Sequence, residues 1–300
     1  MVAAIMVMAV ACHRATVPSV TNYPTPVLNT EIKNESGQII LVGHASVSAM
    51  QLPNYKSWFD DSYNKYTVDA ITAAQLKPLW GNKRMEVFLG SWCGDSRREV
   101  PHMIKIFQEA GIDTAKLKLV FVDNSMNRYK QSPQHEEAGK NIHHVPSFII
   151  YEGKNEMGRI VESPISSLEK DLLDILQRQP YQPNYRAVHH WITQVAARET
   201  PMSDADLQKL VPVLKPLCRH YGEFNTFGHV QFTANHTAEA LNVLRLNTMI
   251  YPDNPSVFDS LAEALDKTGN KKEAIAAYEK ELTLNPANEF VKQRIAALKL

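Results

Sequence analysis

Apolar positions along the chain fall into three successive patterns. Residues 2–11 (Val-Ala-Ala-Ile-Met-Val-Met-Ala-Val-Ala) form one uninterrupted apolar run that ends at Cys12. A membrane-spanning helix needs about 20 such residues, so this run suits the apolar core of a secretory signal instead. Residues 13–30, with Pro18, Pro24 and Pro26 among Thr, Ser and Asn, carry no period and read as a tether. Between 31 and 178 short apolar runs alternate with helical stretches. Residues 31–80 form an N-terminal appendage that opens on an expected strand, Ile39–Val42. Its aromatic residues Tyr55, Trp58, Phe59, Tyr63 and Tyr66 partly fit a helical face packed on a core, and a helix is expected over 68–79, disrupted near Pro78. Strands are expected at 85–89, 117–122, 147–151 and 159–161. Ser166-Ser167-Leu168-Glu169 opens a further helix with a capping-box pattern, Ser followed by Glu three residues on. Beyond Gln179-Pro180-Tyr181-Gln182-Pro183 the pattern is helical to the end. The expected fold class is therefore an α/β domain at 81–178 followed by an all-α domain at 183–300.

The helical part repeats itself. Pro252 and Pro286, Ala240 and Ala274, Phe224 and Phe258, and Phe227 and Leu261 are each 34 residues apart, and Tyr-Pro-Asp-Asn at 251–254 echoes Asn-Pro-Ala-Asn at 285–288. A 34-residue period resembles the tetratricopeptide repeat, with units at 221–254 and 255–288. Small residues at Gly228, Ala240, Ala262 and Ala274 would let paired helices approach closely, and Phe290–Leu298 would cap the stack. Since about three repeats are needed for a stable stack, helices over 183–198 and 204–221 are expected to complete it. Cys218 falls in the second of these and reads as a buried, inert thiol. A repeat concavity of this kind offers a groove to a peptide partner.

Lys plus Arg and Asp plus Glu balance at 32 each, which argues against a nucleic-acid binder, because displacing counterions takes clustered positive charge. The 44% hydrophobic content excludes both a disordered chain and an integral membrane bundle. Three cysteines, Cys12, Cys93 and Cys218, are too few for a disulfide scaffold or a four-thiolate zinc site. Cys93, His135, His143 and His144 lack tight ligand spacing, so neither a metal nor a cofactor is expected. Ala9-Val10-Ala11-Cys12 resembles a bacterial lipobox, with Ala9 where such motifs usually carry Leu. That resemblance implies a lipid attached at Cys12 as the sole membrane contact, and a location in the bacterial cell envelope.

The chemical centre is Trp92-Cys93-Gly94-Asp95-Ser96, between the strand at 85–89 and a helix from Arg97 to Glu109. This order puts a thiol at a helix N-terminus, where free N–H groups and the helix dipole favour the thiolate. Pro101 lies eight residues after the cysteine, inside the helix, and His144-Val145-Pro146-Ser147-Phe148 puts a proline immediately before a strand. Trp92, Cys93, Pro101, Val145 and Pro146, in that order, resemble the thioredoxin fold over residues 81–178. The segment is similar to secreted bacterial thioredoxin-like proteins that carry Trp-Cys-Gly-Asp-Ser.

The resemblance implies a cis bond at Pro146 and a Val145 backbone that pairs with an extended substrate segment beside the sulfur. It also departs from the family at two positions. Ser96 stands where the resolving cysteine would be, and Val87 where the family has a buried acid, with Glu86 on the opposite strand face. Cys93 therefore has no partner for a disulfide within the motif. Ser96 can donate a hydrogen bond to the thiolate, or, as Ser96-Arg97-Arg98-Glu99, start the helix as a capping box. His144 could stabilise the thiolate or simply be exposed, and Asp95 would oppose Arg97 and Arg98 at the sulfur. The implied function is a monothiol oxidoreductase with Cys93, Ser96, Trp92 and Pro146 at its centre, Val145 and His144 at the substrate, and protein or peptide thiols and disulfides as partners. The rival reading is a non-catalytic adaptor that binds peptides or proteins.

Overall fold

A computed structural model of the chain describes residues 27–300. The apolar run, Cys12 with its expected lipid, and the tether up to residue 26 lie outside the described residues. The rest comprises a mixed α/β sheet domain followed by a run of helices. Six strands, β1 (Thr30–Lys33), β2 (Ile39–Ala45), β3 (Arg84–Leu89), β4 (Leu117–Phe121), β5 (Ser147–Glu152) and β6 (Asn155–Val161), lie in the order β1-β2-β4-β3-β5-β6. β3 and β4 run parallel, and the other neighbouring pairs are antiparallel. β1 starts at the last residue read as tether: Thr30 pairs with Val42.

The central strands carry apolar residues on both sides, Glu86 and Lys118 apart, because both of their faces are covered. On one face Val87, Leu89, Leu119, Phe121, Phe148 and Ile150 pack under four helices, α1 (Pro53–Lys65), α2 (Ala70–Trp80), α3 (Gly94–Glu109) and α4 (Leu168–Leu176). On the other face Phe88, Val120, Val122, Ile149 and Tyr151 pack with Ile142 and Val145. The 25-residue connection 122–146, which contains no helix or strand, supplies that second cover. Residues two apart on a strand share a face, so Glu86 and Val87 must part. Val87 enters the helix-side core, and Glu86 pairs with Lys140 of the connection at 3.0 Å.

Local expectations are corrected at three points. Pro78 does not disrupt α2, which continues to Trp80; Pro78 is exposed, so the Ala74 carbonyl it leaves unpaired can meet water. α4 is capped by Ser167, whose hydroxyl accepts from Lys170 N–H, and not by a Ser166–Glu169 box. Glu169 is buried and accepts from the Tyr66 hydroxyl and the Asp69 N–H, tying the α1–α2 junction to α4. The helix expected over 204–221 is α6 (Asp204–Leu214) plus one 3-10 turn at Lys215–Leu217, which leaves Cys218 at the turn's end.

α5 (Arg186–Gln194), α6, α7 (Gly222–Thr233), α8 (Thr237–Ile250), α9 (Pro255–Lys267), α10 (Lys271–Leu284) and α11 (Glu289–Leu298) form the helical region. α7 packs on α8, α8 on α9 and α9 on α10. α9 starts 33 residues after α7 (255 − 222) and α10 starts 34 after α8 (271 − 237), close to the period read from the sequence. A Cβ built on Gly228 would lie 2.7 Å from Leu244 Cγ, so α7 and α8 approach too closely for a side chain there. Ala240, Ala262 and Ala274 are fully buried. Among the described residues no helix is long and apolar enough to cross a membrane.

Overpacking a tight core costs about 1–3 kcal/mol. Gly228→Val is therefore expected to lower the thermal unfolding midpoint by several degrees, as read by far-ultraviolet circular dichroism. An unchanged midpoint would contradict the close approach of α7 and α8.

Candidate functional site

β3 delivers the chain to Gly90-Ser91-Trp92, and the turn closes with Cys93 N–H donating to the Gly90 carbonyl at 2.9 Å. Gly90 is required by its neighbour: a Cβ there would lie 2.5 Å from the Trp92 ring. Trp92 lies over this turn and donates from Nε1 to the Val122 carbonyl at 2.8 Å. Ser91 is buried and accepts the Leu41 N–H at 3.0 Å, while Arg97 donates to the Ser91 carbonyl at 2.7 Å. The loop is thus held from β2, from β4's exit and from α3.

Cys93 itself is the N-cap residue of α3, with its carbonyl accepting from Arg97 N–H at 3.0 Å. Its thiol is half-buried and donates to the Val145 carbonyl at 3.3 Å. The Val145–Pro146 peptide bond is cis. Trp92, Cys93, Val145 and Pro146, drawn from segments more than 50 residues apart, therefore meet at one place. Val145 is 2% exposed, so the carbonyl expected to face a substrate strand is occupied by the thiol.

Ser96 is not a helix cap, because the N-cap of α3 lies three residues earlier, at Cys93. Its buried hydroxyl accepts the Gly90 N–H at 3.1 Å, which makes it a brace of the loop. Glu99, the other half of the expected box, pairs with Arg98 at 2.7 Å. Arg98 also pairs with Asp95 at 2.7 Å, so these two charges offset each other. An open groove of about 450 Å³ lies next to the sulfur-bearing turn, lined by Trp58, Tyr66, Gly94, Arg97, Arg98 and His102.

His144 is not exposed, and its ring packs against His143 and Tyr185. It is 8% exposed, stacks on Tyr185 with ring centroids 3.7 Å apart, and approaches His143 Nδ1 to Nδ1 at 2.8 Å. His143 meets Tyr185 and Phe227 edge-on. The segment preceding Pro146 is thus clamped by the helical region, and Val161 shares a core cluster with Trp191, Phe224 and Phe227. Burial first, and then the Lys130 charge, hold both imidazoles well below the usual histidine range. His135 lies elsewhere, beside Glu137 at 3.2 Å. Among the described residues no three His, Cys, Asp or Glu side chains converge as metal ligands.

Cys218 is half-buried at the margin of the same helical cluster. Burial, followed by the nearby Glu223 carboxylate, pushes its thiol up to about 12, so it stays protonated and unreactive at neutral pH.

Lys130, Tyr129 and Tyr185 were not singled out from the sequence. Lys130 is 4% exposed, donates from Nζ to the His143 carbonyl at 2.6 Å, and lies 4.8 Å from the Tyr129 ring centroid. Burial lowers its ammonium to about 8, with the charges of Cys93 and Glu162 acting the other way. Tyr129 links Trp92, at 6.5 Å between centroids, to His229 of α7 at 5.1 Å. A lysine with positive φ, here 59°, was the available signal only once the backbone was known.

No protein-family model matches this chain, and no curated protein matches it.

The neutral histidine pair makes stability pH-dependent. Below about 6.5 the unfolded chain takes up protons at His143 and His144 that the folded chain refuses, so stability falls as pH drops. Each such histidine weakens folding by at most about 1.4 kcal/mol per pH unit in that window. Thermal midpoints between pH 7.5 and pH 5 are expected to decline, and a His143→Gln/His144→Gln double variant to decline less steeply. An equal slope in the variant would assign the sensitivity to other groups.

Proposed function

We propose that this protein is a thioredoxin-type, single-cysteine thiol oxidoreductase whose helical region is a tetratricopeptide-like extension. The observation that carries the reading is the half-buried Cys93 sulfur at the start of α3, 3.3 Å from the carbonyl that precedes a cis-proline. A thiolate at that position attacks one sulfur of a substrate disulfide; a new S–S bond forms to Cys93 while the old bond breaks and the other sulfur leaves as a thiolate. With a sulfenic acid the same attack expels the oxygen, which leaves as water after taking up protons. Since Ser96 replaces a resolving cysteine, a second thiol from another molecule must attack the mixed disulfide and restore Cys93. The groove beside Gly94, bordered by Trp58, Arg97 and Arg98, would receive the substrate segment. A lipid anchor at Cys12 would hold the chain in the bacterial cell envelope, as the lipobox resemblance implies.

A second reading, a peptide-binding adaptor without turnover, rests on a separate observation. Pro146 and Val145 are buried, and the segment before them is pinned by the Tyr185 stack, which limits access to the side of the sulfur where the family binds substrate.

Thiol-trapping pull-downs from intact cells separate the two. The oxidoreductase reading expects reductant-sensitive partners with the native chain and with Cys218→Ser, and their loss with Cys93→Ser. Partners captured equally by Cys93→Ser, with none sensitive to reductant, would favour the adaptor and overturn the covalent reading.

A further inference from the structure

The charged side chains in and around the groove beside Gly94 are matched, with one exception. Lys65 pairs with Asp61 at 2.7 Å, and Arg98 pairs with both Asp95 and Glu99 at 2.7 Å. His102 meets the Ser62 hydroxyl at 3.1 Å and Glu99 at 3.7 Å. Arg97 is the exception. Its side chain is half-buried in the groove wall, and among the described residues no carboxylate lies within ion-pair distance of its guanidinium.

Two hydrogen bonds tie Arg97 to the Cys93 motif. Its Nε donates to the Ser91 carbonyl at 2.7 Å, and its backbone N–H donates to the Cys93 carbonyl at 3.0 Å. The guanidinium carbon also lies over the Trp58 ring, 5.9 Å from its centre. With Nε engaged, the planar group is held in one orientation, and its two terminal nitrogens make no hydrogen bond among the described residues. Such a fork matches the two oxygens of a carboxylate. Because the fork is already oriented, less side-chain freedom is lost when a carboxylate arrives. Gly94, the residue next to Cys93, lines the same groove, so an extended segment lying there passes both the reacting turn and the arginine.

We propose that Arg97 determines substrate choice: it takes the carboxylate of an acidic side chain beside the substrate cysteine, so that Cys93 acts preferentially on disulfides within acidic peptide segments. The inference rests on the reading of Cys93 as the reacting sulfur and of this groove as the seat of its substrate. A neutral segment gains nothing from the fork, and a basic one is repelled by its uncompensated charge. In the exchange the Cys93 thiolate attacks the substrate sulfur, a new S–S bond joins the two chains, and the displaced sulfur leaves with the electron pair of the broken bond. Arg97 gives and takes no proton in that step; it holds the substrate by charge.

The test uses two synthetic peptides that differ only in the residues flanking a single cysteine, Glu in one and Gln in the other. That cysteine is activated in both as its thiopyridyl disulfide. Attack by Cys93 on the peptide sulfur expels thiopyridone and leaves the peptide on Cys93, and the rate of this adduct in the full chain is followed by mass spectrometry. The Glu peptide is expected to react about five-fold faster than the Gln peptide, the upper range for one half-exposed ion pair. Arg97→Gln is expected to abolish the preference, and Arg97→Lys, which keeps the charge without the fork, to retain part of it. A native chain with no preference for the Glu peptide would overturn the proposal, whether or not the variants fold. So would an Arg97→Gln chain that slows with both peptides yet keeps the native preference, because that marks a change in access and not in charge recognition. Absence of a Cys93 adduct with either peptide would instead sink the oxidoreductase reading, and this inference with it.

Discussion

Everything around Cys93 depends on one packing constraint: the three central strands carry apolar side chains on both faces. α1 to α4 cover one face, as Val87, Leu119 and Phe148 require. Phe88, Val120 and Ile149 on the other face are covered by a connection without regular structure. A loop in that position has backbone groups to satisfy and little rigidity of its own. Its order comes from outside, through the Tyr185 stack on His144, the Phe227 edge on His143, and Gln131 donating to the Thr233 carbonyl at 2.7 Å.

The helical region is therefore part of the site's architecture even though none of its side chains bonds to the sulfur in this structure. Tyr185 and Phe227 fix the segment that ends at the cis-proline, and this segment supplies the carbonyls that meet the thiol and the lysine. Tyr129 carries the same link from Trp92 to α7. Loss of packing between α7 and α8, where Gly228 and Leu244 touch, would reach the sulfur by this route. On the opposite side the groove beside Gly94 is bounded by α1, the Tyr66 that follows it, and α3, so the two approaches to Cys93 differ in what controls them.

Several elements were legible because their signal is local. β3, β4 and β5 announced themselves as apolar runs, and the small residues at Gly228, Ala240, Ala262 and Ala274 marked helix contacts through their lack of bulk. The order Trp92, Cys93, Pro101, Pro146 picked out residues of which Trp92, Cys93 and Pro146 meet in the structure. The capping box weighed as one alternative for Ser96, and the one expected at Ser166, did not form, because a four-residue pattern ignores where the chain enters the helix. At Ser96 the earlier start at Cys93 turned the hydroxyl back to Gly90, and Glu169 was drawn away by Tyr66. His144 was misjudged because solvent exposure depends on a helix that begins 42 residues later, at Arg186.

By itself the sequence determined the alternation of strands and helices, the change to an all-helical region after Pro183, the repeat spacing, and the single thiol at a helix start. These follow from side-chain periodicity and backbone preference, which act over a few residues. The tertiary structure alone decided that Val145 would take the thiol, that Ser96 would brace a loop, and that Lys130 would be buried with its ammonium on the His143 carbonyl. Each of these is a meeting between distant segments, and burial of charge and pairing of carbonyls are settled by which surfaces close over one another.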